Sequence, residues 1–178
     1  GSIKFDLALD DKLRAGAAQL RKSCDGRPVI VAASTHPGED EQILAAFAQV
    51  RTVHSDTLLV LVPRHPERFD AVAALCESEG FDITRRSAGS LPTSATDVYL
   101  GDTMGELVLL LGMADIAVVG GSLIEHGGHN VLEPAAWGVP VITGPHMFNF
   151  AEISERLVAA KAMLQLSAPD DLAACLVD

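Results

Sequence analysis

The residues with the clearest chemical potential lie between Gly120 and Pro140, in the stretch GGSLIEHGGHNVLEPAAWGVP. The stretch follows an apolar run, passes through several glycines and leads into a predicted helix beside Asn130 and Glu133. Glycines let a backbone approach a ligand without a clash at Cβ, and the first amides of a helix attract anions. A carboxylate at the same helix start repels phosphate unless it faces hydroxyl groups, such as those of a sugar. The stretch therefore predicts a nucleotide-sugar site.

Small, basic and hydroxyl residues also follow the other apolar runs that we predict as strands. The predicted strands are Val29–Ala33, Leu58–Val62, Val98–Leu100, Ile116–Val119 and Val139–Ile142. The first is followed by Ser34 to Gly38, the second by Pro63 and Arg64, and the third by Gly101 to Glu106. Because open parallel sheets bind ligands outside the carboxyl ends of their strands, we predict a binding crevice at this edge.

Helical periodicity alternates with these strands along the chain. The predicted helices are Lys12–Lys22, Asp40–Val53, Glu67–Glu79, Met104–Leu111, Val131–Trp137, Phe150–Ala160 and Pro169–Val177. Strands that are apolar throughout are typical of a parallel sheet covered by helices on both faces. The pattern predicts an α/β fold with a doubly wound parallel sheet, as a single domain over residues 1–178, with Thr84–Thr96 as a mobile loop.

Composition narrows the class of ligand. The 178 residues carry a formal net charge of −11, which argues against nucleic acid as a partner because no positive field would recruit phosphate backbones. No apolar run is long enough to cross a bilayer. Cys24, Cys76 and Cys175 lack metal-ligand spacing and are expected to be reduced, mostly buried thiols. We expect no cofactor, and the spacing offers no Asp-x-Asp clamp for a metal ion, although metal dependence stays open from the residues alone.

Asn130 and Glu133 also fit a purely structural role. Their spacing matches a helix N-cap with its capping-box partner, which would satisfy backbone amides without any ligand. Pro134 favours a different start, because proline suits the first helical position and would make Glu133 itself the cap. Capping and sugar binding therefore both stay open, and Asn130 could serve in both.

Arg64 and His36 have simpler interpretations as well. Arg64 could form a surface ion pair with Glu67, although its position directly after a strand favours an anion-binding role. His36 precedes an acidic helix start that complements the helix dipole, so we interpret it as structural unless it also reaches the crevice.

Five further polar residues need no ligand to explain them. Asp102 and Thr103 could cap the helix that follows, and Glu106 could be a solvated acid in its first turn. His126 and His129 are interpreted as loop histidines in a glycine-rich setting, without a neighbour suggestive of a metal site.

Taken together, the motifs resemble the carboxyl-terminal half of bacterial Kdo transferase, the 3-deoxy-D-manno-octulosonic acid transferase of lipopolysaccharide synthesis. The resemblance runs from Ile3–Leu7 through nearly the whole chain. Its blocks are AASTHPGE (Ala32–Glu39), LVPRHPERF (Leu61–Phe69), LGDTMGEL (Leu100–Leu107), GGS (Gly120–Ser122), GGHNVLEPAAWGVPVITGP (Gly127–Pro145) and FNF (Phe148–Phe150). These blocks, in this order, are specific to the family.

The resemblance implies one Rossmann-like half of a two-domain GT-B glycosyltransferase, with CMP-Kdo or CMP as ligand. It implies that Pro63 and Arg64 meet the CMP, and that Met104, Gly105 and Glu106 line the nucleotide pocket. It further implies that Asn130, Val131, Leu132 and Glu133 close around phosphate and ribose, with Ser122 and Gly128 as neighbours.

The reaction implied is an inverting, metal-free transfer of Kdo to a lipid A precursor at the cytoplasmic face of the inner membrane. In that family a carboxylate of the amino-terminal acceptor domain acts as base, so we assign no catalytic residue here and expect this piece to be soluble and inactive alone. Two alternatives remain: another GT-B enzyme, for instance one using a UDP-sugar, and a non-catalytic nucleotide-binding module.

Overall fold

A computed structural model describes residues 9–177, so the Ile3–Leu7 block lies outside the described part. The strands are β1 (Val29–Thr35), β2 (Leu58–Pro63), β3 (Ile83–Arg85), β4 (Val98–Leu100), β5 (Ile116–Val119), β6 (Val141–Thr143) and β7 (Met163–Gln165). They form one parallel sheet in the order β3-β4-β2-β1-β5-β6-β7. The predicted α/β fold with a doubly wound parallel sheet is confirmed.

Helices cover both faces of the sheet. They are α1 (Asp11–Ser23), α2 (Glu39–Val53), α3 (Phe69–Ser78), α4 (Leu107–Leu111), α5 (Leu132–Ala136), α6 (Ala151–Ala159) and α7 (Leu172–Val177). Helices α2, α3 and α7 pack on one face, and α1, α4, α5 and α6 pack on the other. Single 3-10 turns precede α3, α6 and α7, at Pro66–Arg68, Phe148–Phe150 and Pro169–Asp171.

The central strands explain why the sheet needs two helical layers. In β1, Ile30 and Ala32 join the core under α2, whereas Val29, Val31 and Ala33 join the core under α1 and α4. All of these side chains are buried. A strand that is apolar on both sides is stable only between two apolar layers, which the amphipathic helices supply.

The structure contains two strands that the sequence analysis did not predict, β3 and β7, and both are short. Part of the predicted mobile loop Thr84–Thr96 is ordered, because β3 pairs with β4 and the 3-10 turn Arg86–Ala88 follows it. The prediction failed there because the strand has only three residues, all half-buried, and shows no apolar run.

Cys24 and Cys76 are buried, as expected, and Cys175 is half-buried. Burial raises the pKa of the Cys76 thiol to about 12, which keeps it protonated and unreactive at neutral pH. Over residues 9–177, every helix is too short or too polar to cross a lipid bilayer.

Candidate functional site

A cavity of about 360 Å³ opens at the carboxyl edge of the sheet. Its wall comes from the segments that follow β1, β2, β4 and β5. The order in which strands are added to the sheet reverses between the neighbours β1 and β5. Ligands of doubly wound folds bind at such a switch point. The lining includes Ser34, Pro63, Arg64, Thr103, Met104, Gly105, His129, Asn130 and Glu133. The crevice that the strand ends predicted is therefore present.

Arg64 is the cation of this cavity. The residue is exposed, and its backbone amide donates to Thr35 O at 2.9 Å, which fixes the chain where β2 ends. Among residues 9–177, no side-chain hydrogen bond or ion pair of Arg64 is formed, so the surface pair with Glu67 is absent. The guanidinium is thus available to an anionic ligand.

Glu133 is the carboxylate of the cavity, and it is half-buried in the first turn of α5. Burial raises the pKa of Glu133, and the nearby charge of Arg64 opposes that shift. Within the described part of the chain, no hydrogen bond reaches this carboxylate, so it is neither the helix cap nor a capping-box partner. It can accept hydrogen bonds from hydroxyl groups of a ligand.

Asn130 has a structural role, although the N-cap residue of α5 is Val131 and not Asn130 as predicted. The Oδ1 of Asn130 accepts the Leu132 amide at 2.8 Å, just before α5, and the residue also lines the cavity. Helix α5 offers fewer free amides than predicted, since Asn130 occupies that of Leu132 and Pro134 has no N–H. Opposing the charge of a phosphate therefore depends more on Arg64 than the sequence suggested.

Met104 and Gly105 supply the apolar side of the cavity. Met104 is 71 % exposed, which leaves its thioether chain open to contact with a flat ring. Glu106 does not line the cavity, because it pairs with Arg86 at 3.0 Å and accepts from Thr103 Oγ1 at 2.6 Å. It is therefore not the solvated acid of the simple interpretation; Arg86 above all holds its pKa below the usual value.

Four more of the predicted site residues lie behind the cavity wall. Ser122 is fully buried, and its Oγ donates to Val119 O and accepts the Gly144 amide. Gly128 is buried with a positive φ of 84°, and a Cβ there would lie 2.2 Å from Met147 Sδ. Val131 is a core residue. Leu132 does not line the cavity either, and its amide donates to Asn130 Oδ1.

The glycine-rich loop packs mainly against protein. A Cβ on Gly120 would lie 2.3 Å from Ser34 O, so glycine is required where the ends of β1 and β5 meet. The Gly120 amide donates to Ala33 O and the Gly128 amide to Gly121 O. We predicted that these glycines let the backbone approach a ligand; instead, they let one loop approach another.

Glu39 holds this loop in place, a role that the sequence analysis missed. The residue is fully buried, and its carboxylate accepts the amides of Gly121 at 2.7 Å, Leu123 at 3.0 Å and His36 at 3.0 Å. Burial raises the pKa of Glu39 while the three amides oppose that shift. The carboxylate thereby joins the segments that follow β1 and β5. Glu39 lies in the acidic first turn of α2, where a carboxylate is expected to complement the helix dipole, so this second role leaves no sign in the sequence.

His36 does not line the cavity, but it lies directly behind His129, which does, and it meets other histidines there. Its Nε2 lies 2.6 Å from Nε2 of His129, and its ring stacks on that of His126 with centroids 4.1 Å apart. The ring of His65 meets it edge-on at 5.4 Å. We call His36, His65, His126 and His129 the histidine cluster. His126 and His129 are thus not isolated loop residues, since ligand atoms of three of these imidazoles lie within 4.8 Å of one another.

Asp102 is not a helix cap; it joins the end of β4 to the residues at the end of β3 and in the 3-10 turn that follows. It accepts hydrogen bonds from Arg85 Nε at 2.6 Å and from Ser87, through Oγ at 2.6 Å and the amide at 2.8 Å. Although burial opposes them, the bonds from Ser87 and Arg85 hold the pKa of Asp102 below its usual value.

We expect Asp102→Asn to lower the free energy of unfolding at neutral pH by about 1–2 kcal/mol, because charge-assisted hydrogen bonds are lost. A lowered folded-state pKa stabilises the protein above the unfolded pKa of about 4, and this contribution disappears as the pH falls through the folded-state value. Urea denaturation from neutral pH to about pH 3 should therefore show a smaller acid loss in the variant. Asp70→Asn is the control, because Asp70 also pairs with Arg85 but its side chain is 92 % exposed. Equal effects of the two substitutions would contradict the assignment.

Comparisons with known proteins agree with this geometry. The family described as glycosyl transferases group 1 matches residues 39–174, which include the ends of β2, β4 and β5 that line the cavity. The chain belongs to the group 1 glycosyl transferases.

Relatives of this glycosyl transferase include two named 3-deoxy-D-manno-octulosonic acid transferase. The chain is 50 % identical over 172 residues to that of Haemophilus influenzae and 46 % identical over 175 residues to that of Bordetella pertussis. Each match covers 96 % of this chain and 40 % of the relative, so the chain spans less than half the length of these proteins.

Solved structures match as well. The crystal structure of the C-terminal CMP-Kdo binding domain of WaaA from Acinetobacter baumannii superposes with a TM-score of 0.88 at 37 % identity, covering 94 % of this chain and 89 % of that one. The C-terminal domain of the group 1 family protein LpcC from Francisella tularensis gives 0.59 at 15 % identity, covering 98 % and 86 %, and shows the fold alone. The resemblance to the carboxyl-terminal half of Kdo transferase is confirmed.

Proposed function

We propose that this chain is the donor-binding domain of an inverting glycosyltransferase that transfers Kdo from CMP-Kdo to a lipid A precursor. The observation that carries the proposal is a cavity lined by both Arg64 and Glu133. Among residues 9–177, the Arg64 guanidinium forms no ion pair and the Glu133 carboxylate accepts no hydrogen bond, so both are available to a ligand. A nucleoside monophosphate needs both groups, a cation for its phosphate and an acceptor for its ribose hydroxyls. The A. baumannii relative, 37 % identical, is named a CMP-Kdo binding domain, which supports cytidylate as the nucleotide.

The expected contribution of this chain to the chemistry is stabilisation of the leaving group. As the bond between the anomeric carbon and the oxygen of the phosphate breaks, negative charge grows on the phosphate, and a guanidinium bound to that phosphate stabilises the charge most at the transition state. The bond from the Arg64 amide to Thr35 O fixes the backbone of Arg64 at the end of β2, from which its side chain can reach the phosphate. The base that deprotonates the acceptor hydroxyl belongs to an amino-terminal domain, as do the acceptor surface and the attachment to the cytoplasmic face of the inner membrane.

Titration of the chain with CMP, UDP and GDP tests the proposal. We expect measurable binding of CMP and weaker binding of the two diphosphates, and weaker binding of 2′-deoxy-CMP than of CMP because Glu133 then lacks one hydroxyl. Glu133→Gln should reduce the difference between CMP and 2′-deoxy-CMP. A preference for UDP would instead indicate a UDP-sugar enzyme, and no binding of any nucleotide would overturn the proposal.

A further inference from the structure

The histidine cluster is a group of hydrogen-bonding imidazoles without a counter-ion among the described residues. Within residues 9–177, no carboxylate hydrogen-bonds to any of its four rings. Glu39, three residues after His36, bonds the backbone amide of His36 and uses its remaining capacity on the loop after β5. Such a group is suited to an anionic ligand.

The largest electrostatic effects on His36 and His129 come from other imidazoles and from two arginines. The groups that act electrostatically on His36 are His126, His65, Arg68 and Arg64, and those that act on His129 are His36, His126, Arg64 and His65. Of the two arginines, Arg68 is neutralised by an ion pair with buried Asp40, whereas Arg64 is not paired. Burial and this like-charged environment lower the pKa of His36 and of His129 to about 4.

The rings of His36 and His129 face each other head to head. They are parallel within 4°, with centroids 4.9 Å apart and Nε2 atoms 2.6 Å apart, as in an N–H···N hydrogen bond between coplanar imidazoles. One nitrogen donates and the other accepts, so the pair holds a single proton between its Nε2 atoms.

A metal ion does not fit between these nitrogens as they stand. Two imidazoles on one zinc ion have Zn–N bonds of about 2.0–2.1 Å at tetrahedral angles, which needs their nitrogens to lie well over 3 Å apart. The ring of His126 stacks on that of His36, with centroids 4.1 Å apart. The arrangement favours an anion over a cation.

We propose that the histidine cluster binds the carboxylate of an acidic sugar on the nucleotide donor. This inference rests on the proposed function and specifies which part of the donor meets which part of the cavity. In a 2-ulosonic acid the carboxylate and the phosphate oxygen are bonded to the same anomeric carbon, so the carboxylate must lie beside the phosphate. His65 follows Arg64 in the chain, and His129 lines the same cavity as Arg64, which is where such a carboxylate would be.

Binding of this carboxylate also changes the protonation of the cluster. An anion beside His36 and His129 reverses the effect of the surrounding positive groups and raises the pKa of both rings. Binding is then coupled to proton uptake, so the donor binds more tightly as the pH falls. CMP alone lacks the carboxylate and does not share this coupling. Its phosphate monoester takes up its own proton at about pH 6, however, so the part of the pH dependence that belongs to the cluster is the part lost in His129→Gln.

The test compares calorimetric titrations of the chain with CMP and with freshly prepared CMP-Kdo, from about pH 8 to about pH 6. We expect the preference for CMP-Kdo over CMP to grow as the pH falls. His129→Gln and, separately, the exposed His65→Gln should each weaken CMP-Kdo binding by about tenfold or more. His65→Gln should retain wild-type affinity for CMP, because His65 does not line the cavity, and circular dichroism shows whether His129→Gln folds. His54→Gln is the matched control, since His54 is exposed at the far end of α2.

Two failures can be told apart. A chain that does not bind CMP overturns the proposed function itself. A chain that binds CMP, but whose preference for CMP-Kdo changes neither with pH nor in His129→Gln and His65→Gln, overturns only the carboxylate site. A parallel titration with Zn²⁺ that shows tight binding lost in His129→Gln, with CMP-Kdo affinity unchanged, would assign the cluster to a metal and likewise overturn it.

Discussion

Glu39→Ala is expected to lower the free energy of unfolding by about 3–5 kcal/mol, the largest effect of any single substitution considered. The carboxylate is fully buried and satisfies the amides of His36, Gly121 and Leu123. Each buried donor left without a partner costs about 1–3 kcal/mol, partly offset if water enters the space. Urea denaturation followed by circular dichroism measures the change.

Two matched variants sharpen this prediction. Glu39→Gln keeps the size of the side chain and one acceptor oxygen, so it should lose roughly half as much stability. Glu41→Ala removes an exposed acid from the same first turn of α2 and should change stability by less than about 0.5 kcal/mol. If the substitutions at residues 39 and 41 had similar effects, Glu39 would be acting only on the helix dipole.

Arg64→Ala should weaken CMP binding by about 1–3 kcal/mol, which is about 5- to 150-fold in Kd. The guanidinium has no partner among the described residues, so the substitution removes a ligand contact without breaking an internal one. The free energy of unfolding of the Arg64→Ala variant should change little, because the Arg64 side chain is exposed. Arg64→Lys should lie between the two, since an ammonium keeps the charge but cannot form two parallel hydrogen bonds.

Lys22→Ala controls for the loss of one positive charge. Lys22 is exposed in the last turn of α1, which leads into the amino end of β1, away from the cavity. Its removal should leave CMP affinity unchanged at moderate ionic strength, because the charge is screened over such a distance. If Lys22→Ala weakened CMP binding as much as Arg64→Ala, CMP affinity would depend on the net charge of the chain and not on a direct contact with Arg64.

The sequence predicted those features that depend on local pattern. The central strands are long apolar runs, and the predicted bounds of β4 and β5 match the structure residue for residue. The location of the crevice followed from them, because parallel strands bring all their carboxyl ends to one edge. Strand β7 was missed because only Met163 of its three residues is buried, so no apolar run marks it.

The sequence could not predict contacts between distant segments. His36 and His129 are 93 positions apart, and Glu39 and Gly121 are 82 apart. Each residue by itself has an ordinary interpretation, a helix entrance, a loop histidine or a first-turn acid. Only the fold brings the ends of β1 and β5 together. The buried hydrogen bonds of Glu39 and the histidine cluster both form there, between residues that are distant in the sequence.

A crystal structure of this chain with CMP tests the central claim most directly. We predict that the phosphate lies within hydrogen-bonding distance of the Arg64 guanidinium, that a ribose hydroxyl donates to Glu133, and that the base lies against Met104. CMP bound away from this cavity, or bound in it with Arg64 and Glu133 both turned to solvent, would contradict the account.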